Sequence, residues 1–308
     1  MRPAAVTIGN FDGVHAGHRQ LLRTVVRLAH ENHWTPAAVT FHPHPTTIVA
    51  PHRAPRLLMT PEERAAQLRS EGIERVEIVP FTAEFARKTP EEFVRDILID
   101  RLGARAVCVG GNFRFGYRQS GDTAALRALG EQFGFETHTL GGVSVRGRLA
   151  SSSEIRKLIE DGRVSLACRL LERPFALRGE VVAGRGVGSR QTVPTLNLQT
   201  SAEILPKTGV YITETEDLNE RRRWPSITNV GHRPTFDAGA LSIETFLLAP
   251  LEGPPPTGIS VAFHRRVRDE RKFASPEDLK ARILRDVALA QTWFRRRARF
   301  ARPAVSRL

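Results

Sequence analysis

Short apolar runs alternate with amphipathic stretches through the first half of the chain. Residues 4–9 read AAVTIG, a strand, and Leu21, Leu22, Val25, Val26, Leu28 and Ala29 then form an apolar face at helical period. A second apolar run, PAAVTF, ends at the proline-rich HPHP of residues 42–45. Thr60, Pro61 and Glu63 spell a capping box with proline at the first helical position. Thr89, Pro90 and Glu92 repeat that signal, and Gly103 ends the helix begun there. RVEIVPF and RAVCVG supply two more strands. Strands with little internal alternation, separated by helices, predict a parallel sheet covered on both faces.

The rhythm changes near Arg173-Pro174. FALRGEVVAG, TVPTLNL, GVYITET, WPSITNV, ALSIETFLLA and GISVAFHRRV are short strands divided by Gly, Pro and charged turns, the pattern of an antiparallel barrel or sandwich. Ser275, Pro276 and Asp278 then cap a long helix carrying Leu279, Ile283, Val287, Ala290 and Phe294. The 308 residues suit two domains of ordinary size. The expected division is an α/β domain over residues 1–172 and a mainly antiparallel β-barrel domain with a C-terminal helix over 173–308.

Composition changes the picture only at its edges. No apolar run is long enough to span a bilayer, and MRPAAVTIG lacks the basic start and long apolar stretch of a signal peptide, so no membrane partner is expected. Cys108 and Cys168 lie far apart without disulfide or zinc spacing, which fits reduced thiols in a cytoplasmic protein. The net charge of +13, mostly arginine, favours polyanionic partners such as phosphorylated ligands or nucleic acid. An overall preference for arginine explains it equally well. The dense clusters ERRRW and FRRRARF fall in a loop and at the C-terminus and do not line an aromatic-rich sheet as in a single-strand binder, and no nucleic-acid partner is expected.

The chemistry concentrates in GNFDGVHAGH, residues 9–18. His15 and His18 stand three apart between a strand and a helix. Zinc could take both, with His42 or His44 as a further ligand, but no third ligand stands at a recognised spacing. A plain helix start explains one polar residue and leaves the Gly-Asn-Phe-Asp-Gly turn unexplained. A phosphate site explains both, because a glycine turn into a helix exposes backbone N–H groups at the positive end of the dipole. Gly17 then lets the backbone approach the ligand, and two imidazoles donate to phosphoryl oxygens.

This stretch resembles the His-x-Gly-His signature of the nucleotidylyltransferases, which follows the first strand of a Rossmann-like sheet. VGGNFRFGYRQSG after a later strand and SSSEIRKLI before another helix accompany it, the latter similar to a second phosphate-binding signature. Together with FHPHP and the basic barrel, these motifs resemble the prokaryotic bifunctional riboflavin kinase/FMN adenylyltransferase (FAD synthetase) family over nearly the whole chain. The resemblance implies that the first domain joins AMP from ATP to FMN, giving FAD and pyrophosphate. It implies catalytic roles for His15, His18 and Arg156, ATP contacts from Gly9, Phe11, Gly17, Ser152 and Ser153, and a flavin contact from Asn112. His42 departs from the acidic residue expected there. In isolation, Ser151 with Glu154 reads as a capping box.

In the second half, GRGVGSRQTVPTLNL resembles the riboflavin kinase motif in which a glycine-rich loop leads to Pro-Thr-Ala-Asn. The resemblance assigns ATP binding to Gly184, Gly188, Thr195 and Asn197, and Mg²⁺ to Thr195 and Asn197. Leu196 stands where Ala is usual, and the run from Gly188 to Pro194 is longer than in the family. In ALSIETFLLA, Glu244 shares a face with Phe246 and Leu248 by alternation. A carboxylate on an apolar face is costly unless paired or set at a pocket. It is either an arginine's salt-bridge partner or, following NVGHRPTF as in riboflavin kinases, the base that accepts the ribityl 5′-hydroxyl proton. The expected protein thus uses riboflavin, FMN and MgATP, and a homo-oligomer is left open. A tRNA-related protein and a single-activity adenylyltransferase whose barrel only binds flavin stand as rivals.

Overall fold

The five residues Ala4–Ile8 are all buried, as a strand covered on both faces requires. In the computed structural model, which describes residues 2–182, 195–232, 241–271 and 273–301, this strand is β1 and the centre of a five-stranded sheet. The first unit runs in the order β1 (Ala4–Ile8), α1 (Ala16–Asn32), β2 (Thr35–His42), α2 (Pro45–Val49), α3 (Pro61–Ser70) and β3 (Arg75–Pro80). It continues with α4 (Pro90–Phe93), β4 (Ala104–Gly110), α5 (Thr123–Phe133), β5 (Glu136–Leu140) and a two-residue hairpin, β6 (Ser144–Val145) and β7 (Arg148–Leu149). The sheet order is β3-β2-β1-β4-β5, every pairing parallel.

Alternate residues of the central strands feed opposite layers. Val6, Ile8, Val39, Val107 and Val109 pack with Phe93, Ile97, Leu98 and Leu126. Ala5, Ala38, Ala106 and Cys108 pack with Leu21, Leu22, Val25 and Leu68. Both expected capping boxes form, at Thr60/Glu63 and Thr89/Glu92. The helix after Thr89 widens to π-helical geometry over Val94–Arg101. β5 was not among the expected strands, because ETHTL at the sheet edge carries no apolar run.

The second unit is a closed barrel. Its strands are β8 (Phe175–Val182), β9 (Thr195–Gln199), β10 (Gly209–Asp217), β11 (Arg223–His232), β12 (Leu241–Leu247) and β13 (Gly258–Arg268), in the order β10-β11-β12-β9-β8-β13. All six are the expected strands, and every pairing is antiparallel. A chain of buried hydroxyls links neighbouring strands: Thr215 to Ser226, Ser226 to Thr213, Thr213 to Thr228 and Thr228 to Thr245, each at 2.8–2.9 Å. Hydroxyls that both give and accept satisfy one another, so this polar row can be buried.

Helix α8 (Pro276–Ala301) begins where the chain spells it, with the Asp278 N–H donating to Ser275 Oγ at 3.1 Å. Val287, Ala290, Trp293 and Phe294 pack on Val210, Ile212 and Ile227 of the barrel. Leu279, expected on that face, is instead 41% exposed, so the apolar contact runs along the later turns. His264 of β13 lies under the same helix, its ring centroid 4.9 Å from that of Trp293, and Arg297 Nη1 is 3.0 Å from its Nδ1.

By contacts, unit one comprises residues 1–155 and 170–172, and unit two residues 156–169 and 173–308. Helices α6 (Ser152–Glu160) and α7 (Val164–Leu171) therefore each contain residues counted with both units.

Candidate active sites

In the first unit, the chain after β1 turns sharply before it enters α1. Phe11, Gly13 and Val14 all take positive φ, at +48°, +89° and +41°. For a β-branched residue such as Val14 this is a strained backbone, of the kind that collects at functional sites. At Gly13 the positive φ is one that side-chain-bearing residues rarely adopt, and a Cβ would also come within 2.9 Å of Leu58 Cδ1, which would have to shift.

His15 is the N-cap of α1, and its Nδ1 accepts the His18 N–H at 3.3 Å. That bond leaves Nε2–H as the donor of the neutral His15 ring. The two imidazoles stack, with centroids 3.7 Å apart and planes 16° apart, and the Phe11 ring stands edge-on to His18 at 5.1 Å. Burial first, and the neighbouring His15 second, hold the His18 pKa well below 6.5. His18 is therefore neutral near pH 7, a hydrogen-bond donor without fixed charge. Its Nδ1 is buried and has no hydrogen-bond partner among the described residues. Gly17 has a positional reason: a Cβ there would lie 3.2 Å from His15 Cε1.

The sheet order reverses between β1 and β4, the topological switch point at which open α/β sheets bind ligands beyond the carboxyl ends of their strands. The histidine turn leaves the carboxyl end of β1, and Asn112 is exposed just beyond that of β4. Gly9 donates its N–H to Val39 O at 3.0 Å, and Phe11 is fully buried. Ser152 Oγ donates to Asp12 O at 2.7 Å, which ties the start of α6 to the turn. Ser153 is exposed, and Arg156 is half-buried one turn along α6. Only half of the Ser151 capping box forms. Ser151 Oγ accepts the Glu154 N–H at 3.2 Å, while the Glu154 carboxylate pairs with Arg148 at 2.6 Å.

The metal alternative for the histidines fails on geometry. His44 N-caps α2 through Nδ1, and its Nε2 lies 3.0 Å from Asn10 Nδ2, so both ring nitrogens are engaged. Among the described residues no three His, Cys, Asp or Glu side chains are grouped to hold a metal ion.

Sequence reasoning missed the supports of the turn. Arg64 of α3, 1% exposed, donates from Nη1 to Asn10 O at 2.6 Å and to Thr40 Oγ1 at 3.1 Å. The buried Asp12 carboxylate accepts the Leu58 N–H at 2.9 Å. The available signal was Arg64 beside Ala65 and Leu68 on the buried face of a helix, a charge where an apolar residue is expected.

In the barrel, register does the assembling. Asn197 of β9 is paired with Glu244 of β12, which is paired in turn with Asn229 of β11. Register partners share a face, so the three polar side chains form one row. Thr195, two residues before Asn197, is paired with Phe246 on that same face. Thr195 Oγ1 is buried with no hydrogen-bond partner among the described residues. The alternation expected in β12 holds: Glu244, Phe246 and Leu248 are half-buried, while Ile243, Thr245 and Leu247 are fully buried. Asn229 is the member of this row that sequence reasoning left without a role. Gly184, Gly188, Pro194 and residues 233–236 lie outside the described residues.

Two family models match the chain in succession, FAD synthetase over residues 1–154 and riboflavin kinase over residues 171–294. With the two sites above, they define a two-unit transferase of flavins and nucleotides. The bifunctional riboflavin kinase/FMN adenylyltransferase of Escherichia coli K12 is 34% identical over 94% of this chain and 92% of its own. That of Pseudomonas fluorescens is 35% identical over 94% and 93%. The chain belongs to the bifunctional riboflavin kinase/FMN adenylyltransferase family, which phosphorylates riboflavin to FMN and adenylylates FMN to FAD. A solved structure described as a macrolide-efflux protein from Streptococcus pneumoniae shares the fold, with TM-score 0.85, 26% identity and 95% coverage of both chains. Here, no helix of the described residues is long and apolar enough to cross a membrane.

Proposed function

We propose that adenylyl transfer is centred on the stacked His15–His18 pair and riboflavin phosphorylation on the Asn197–Glu244 row. The observation that carries the first assignment is a stacked imidazole pair, its His18 ring neutral near pH 7, at the start of α1, beside backbone N–H groups that the helix leaves unpaired. The FMN phosphate attacks the α-phosphorus of ATP directly, with no covalent enzyme intermediate. The chain's task is to hold both phosphates in line and to stabilise negative charge on the departing pyrophosphate. His15 gives its Nε2–H, and His18 adds a second donor. Gly9 and Gly17 keep the backbone open to the nucleotide, while the Phe11 ring fixes the face of His18. Ser152 holds the turn through Asp12, Ser153 and Arg156 serve the ATP phosphates, and Asn112 meets the flavin.

In the barrel, Glu244 accepts the proton of the ribityl 5′-hydroxyl as that oxygen attacks the γ-phosphorus of ATP, the bond from that phosphorus to the β–γ bridging oxygen breaks, and ADP departs. Thr195 and Asn197 suit Mg²⁺, a hard cation that takes oxygen ligands, and the unpartnered buried Thr195 Oγ1 is such an oxygen. When bound, Mg²⁺ neutralises triphosphate charge. Gly184 and Gly188 are assigned to the phosphates through their motif alone. The proposed domain boundary at 172/173 is supported by the last residue counted with the first unit, Glu172. A cytoplasmic location fits two free thiols.

The testing experiment supplies riboflavin or FMN with ATP and Mg²⁺ and separates the flavins chromatographically. His15→Ala and His18→Ala should each lower FAD formation by about 10²–10³-fold, the usual effect of losing a transition-state donor. The kinase rate should stay at the wild-type value. Unchanged FAD formation in both variants overturns the assignment.

A further inference from the structure

The buried guanidinium of Arg64 has no part in the family motifs set out above. Removing a cation from water is expensive unless it is paired or fully hydrogen-bonded. Arg64 has no carboxylate in ion-pair contact among the described residues; its acceptors are two neutral oxygens, Asn10 O and Thr40 Oγ1. Burial draws its pKa down, and the more distant charges of Asp12 and Glu62 oppose that shift. The Thr40 hydroxyl accepts from Arg64 and donates to the same Asn10 carbonyl at 3.1 Å, so α3 and β2 grip one peptide together. That peptide leads into the left-handed residues Phe11, Gly13 and Val14, which end at His15. A strained turn persists only where its surroundings over-determine it.

We propose that Arg64 is a positioning residue for adenylyl transfer, holding the Asn10 carbonyl so that the strained turn presents His15 and His18 to the transferring phosphate. The inference rests on reading the two histidines as phosphate ligands. Arg64 touches neither substrate nor reacting atoms. Its effect passes through Asn10 and falls on the chemical step, since a misplacement near 1 Å costs about 10²-fold in rate. Arginine suits the role because one planar terminal nitrogen, Nη1, directs its two N–H bonds at both acceptors at fixed angles.

The test compares Arg64→Met and Arg64→Lys in the full-length protein. FAD-forming kcat and KM are measured with FMN and ATP, the kinase rate serves as internal control, and imidazole ¹⁵N shifts report the histidines without turnover. Arg64→Met should lower kcat by about 10²-fold with KM for FMN nearly unchanged. It should leave the kinase rate intact and shift the His15 Nδ1 resonance as its bond from the His18 N–H loosens. Arg64→Lys should recover part of the kcat. Should Arg64→Met not fold, Thr40→Val removes the other grip on the Asn10 carbonyl and should act in the same direction. Wild-type kcat and imidazole shifts in these variants overturn the proposal. So does a loss that only follows the folded fraction in a thermal melt and is not recovered by lysine. If His15→Ala and His18→Ala, assayed beside them, keep full FAD formation, the proposal falls through the histidines rather than through Arg64.

Discussion

Glu244 and Asn197 are register partners on neighbouring antiparallel strands, the carboxylate on β12 and the amide on β9. Such partners hold their Cβ atoms about 4.5–5.5 Å apart on one face, so proposed base and proposed Mg²⁺ ligand meet through the sheet itself. Glu244→Gln keeps shape and hydrogen bonding and cannot take a proton. The FMN-forming rate should fall about 10²–10⁴-fold, the usual worth of general-base catalysis. MgATP binding and FAD synthesis from supplied FMN should persist. Both rates measured on the one variant decide the matter: a normal kinase rate makes Glu244 only a structural carboxylate.

His18 carries a pH signature. Its pKa is depressed in the folded protein, so the stability gained by keeping it neutral is fully present above the unfolded value of 6.5 and is lost as pH falls below it. A polyphosphate bound beside it favours the imidazolium and raises that pKa. ATP binding near pH 6 should therefore take up a proton, seen as a calorimetric heat that varies with the ionisation enthalpy of the buffer. His18→Asn should reduce that dependence, and the difference between the two proteins should vanish at pH 8. The same buffer dependence in wild type and variant at acidic pH would count against a phosphate beside His18.

Gly17→Ala separates helix stability from site geometry. Alanine is favoured over glycine within a helix by about 1 kcal/mol. Here its Cβ would press on the His15 ring, 3.2 Å from Cε1 and 3.3 Å from Nδ1. The melting temperature should hold or rise while FAD-forming kcat drops by tenfold or more, about what a displaced catalytic group costs. An unchanged kcat would mean that the tilt of His15 is immaterial.

Acid should weaken the barrel through His264. Burial, and then the Arg297 charge, hold its pKa at about 4. Between pH 6.5 and 4 the unfolded chain binds the proton that the folded one refuses, so unfolding free energy falls as pH falls. The slope is about 1.4 kcal/mol per pH unit and the total about 3 kcal/mol. Denaturant unfolding followed by tryptophan fluorescence should show this loss, and His264→Asn should flatten it. A wild-type curve as flat as the variant's would contradict a neutral His264.

Several features were legible along the chain because their causes are local. The two capping boxes at Thr60 and Thr89 lie within four residues, and the six barrel strands announce themselves by short apolar runs between turns. The histidine turn was legible for the same reason: glycine, strain and helix start are consecutive. β5 was hidden because ETHTL at an edge buries too little to need an apolar run. Leu279 sits at helical spacing from the packed residues of α8, yet the barrel surface does not reach it.

Motif order and local period thus determined the two kinds of fold, the helix starts and the candidate residues proposed for the chemistry. Tertiary structure alone decided what those residues touch. Asn197 meets Glu244 through strand register, Ser152 spends its hydroxyl proton on Asp12 O, and Arg64 reaches Asn10 across 54 positions of chain. Side-chain periodicity tells which face a residue takes, but a hydrogen bond between distant segments depends on how separate elements stack, and no local pattern encodes that distance.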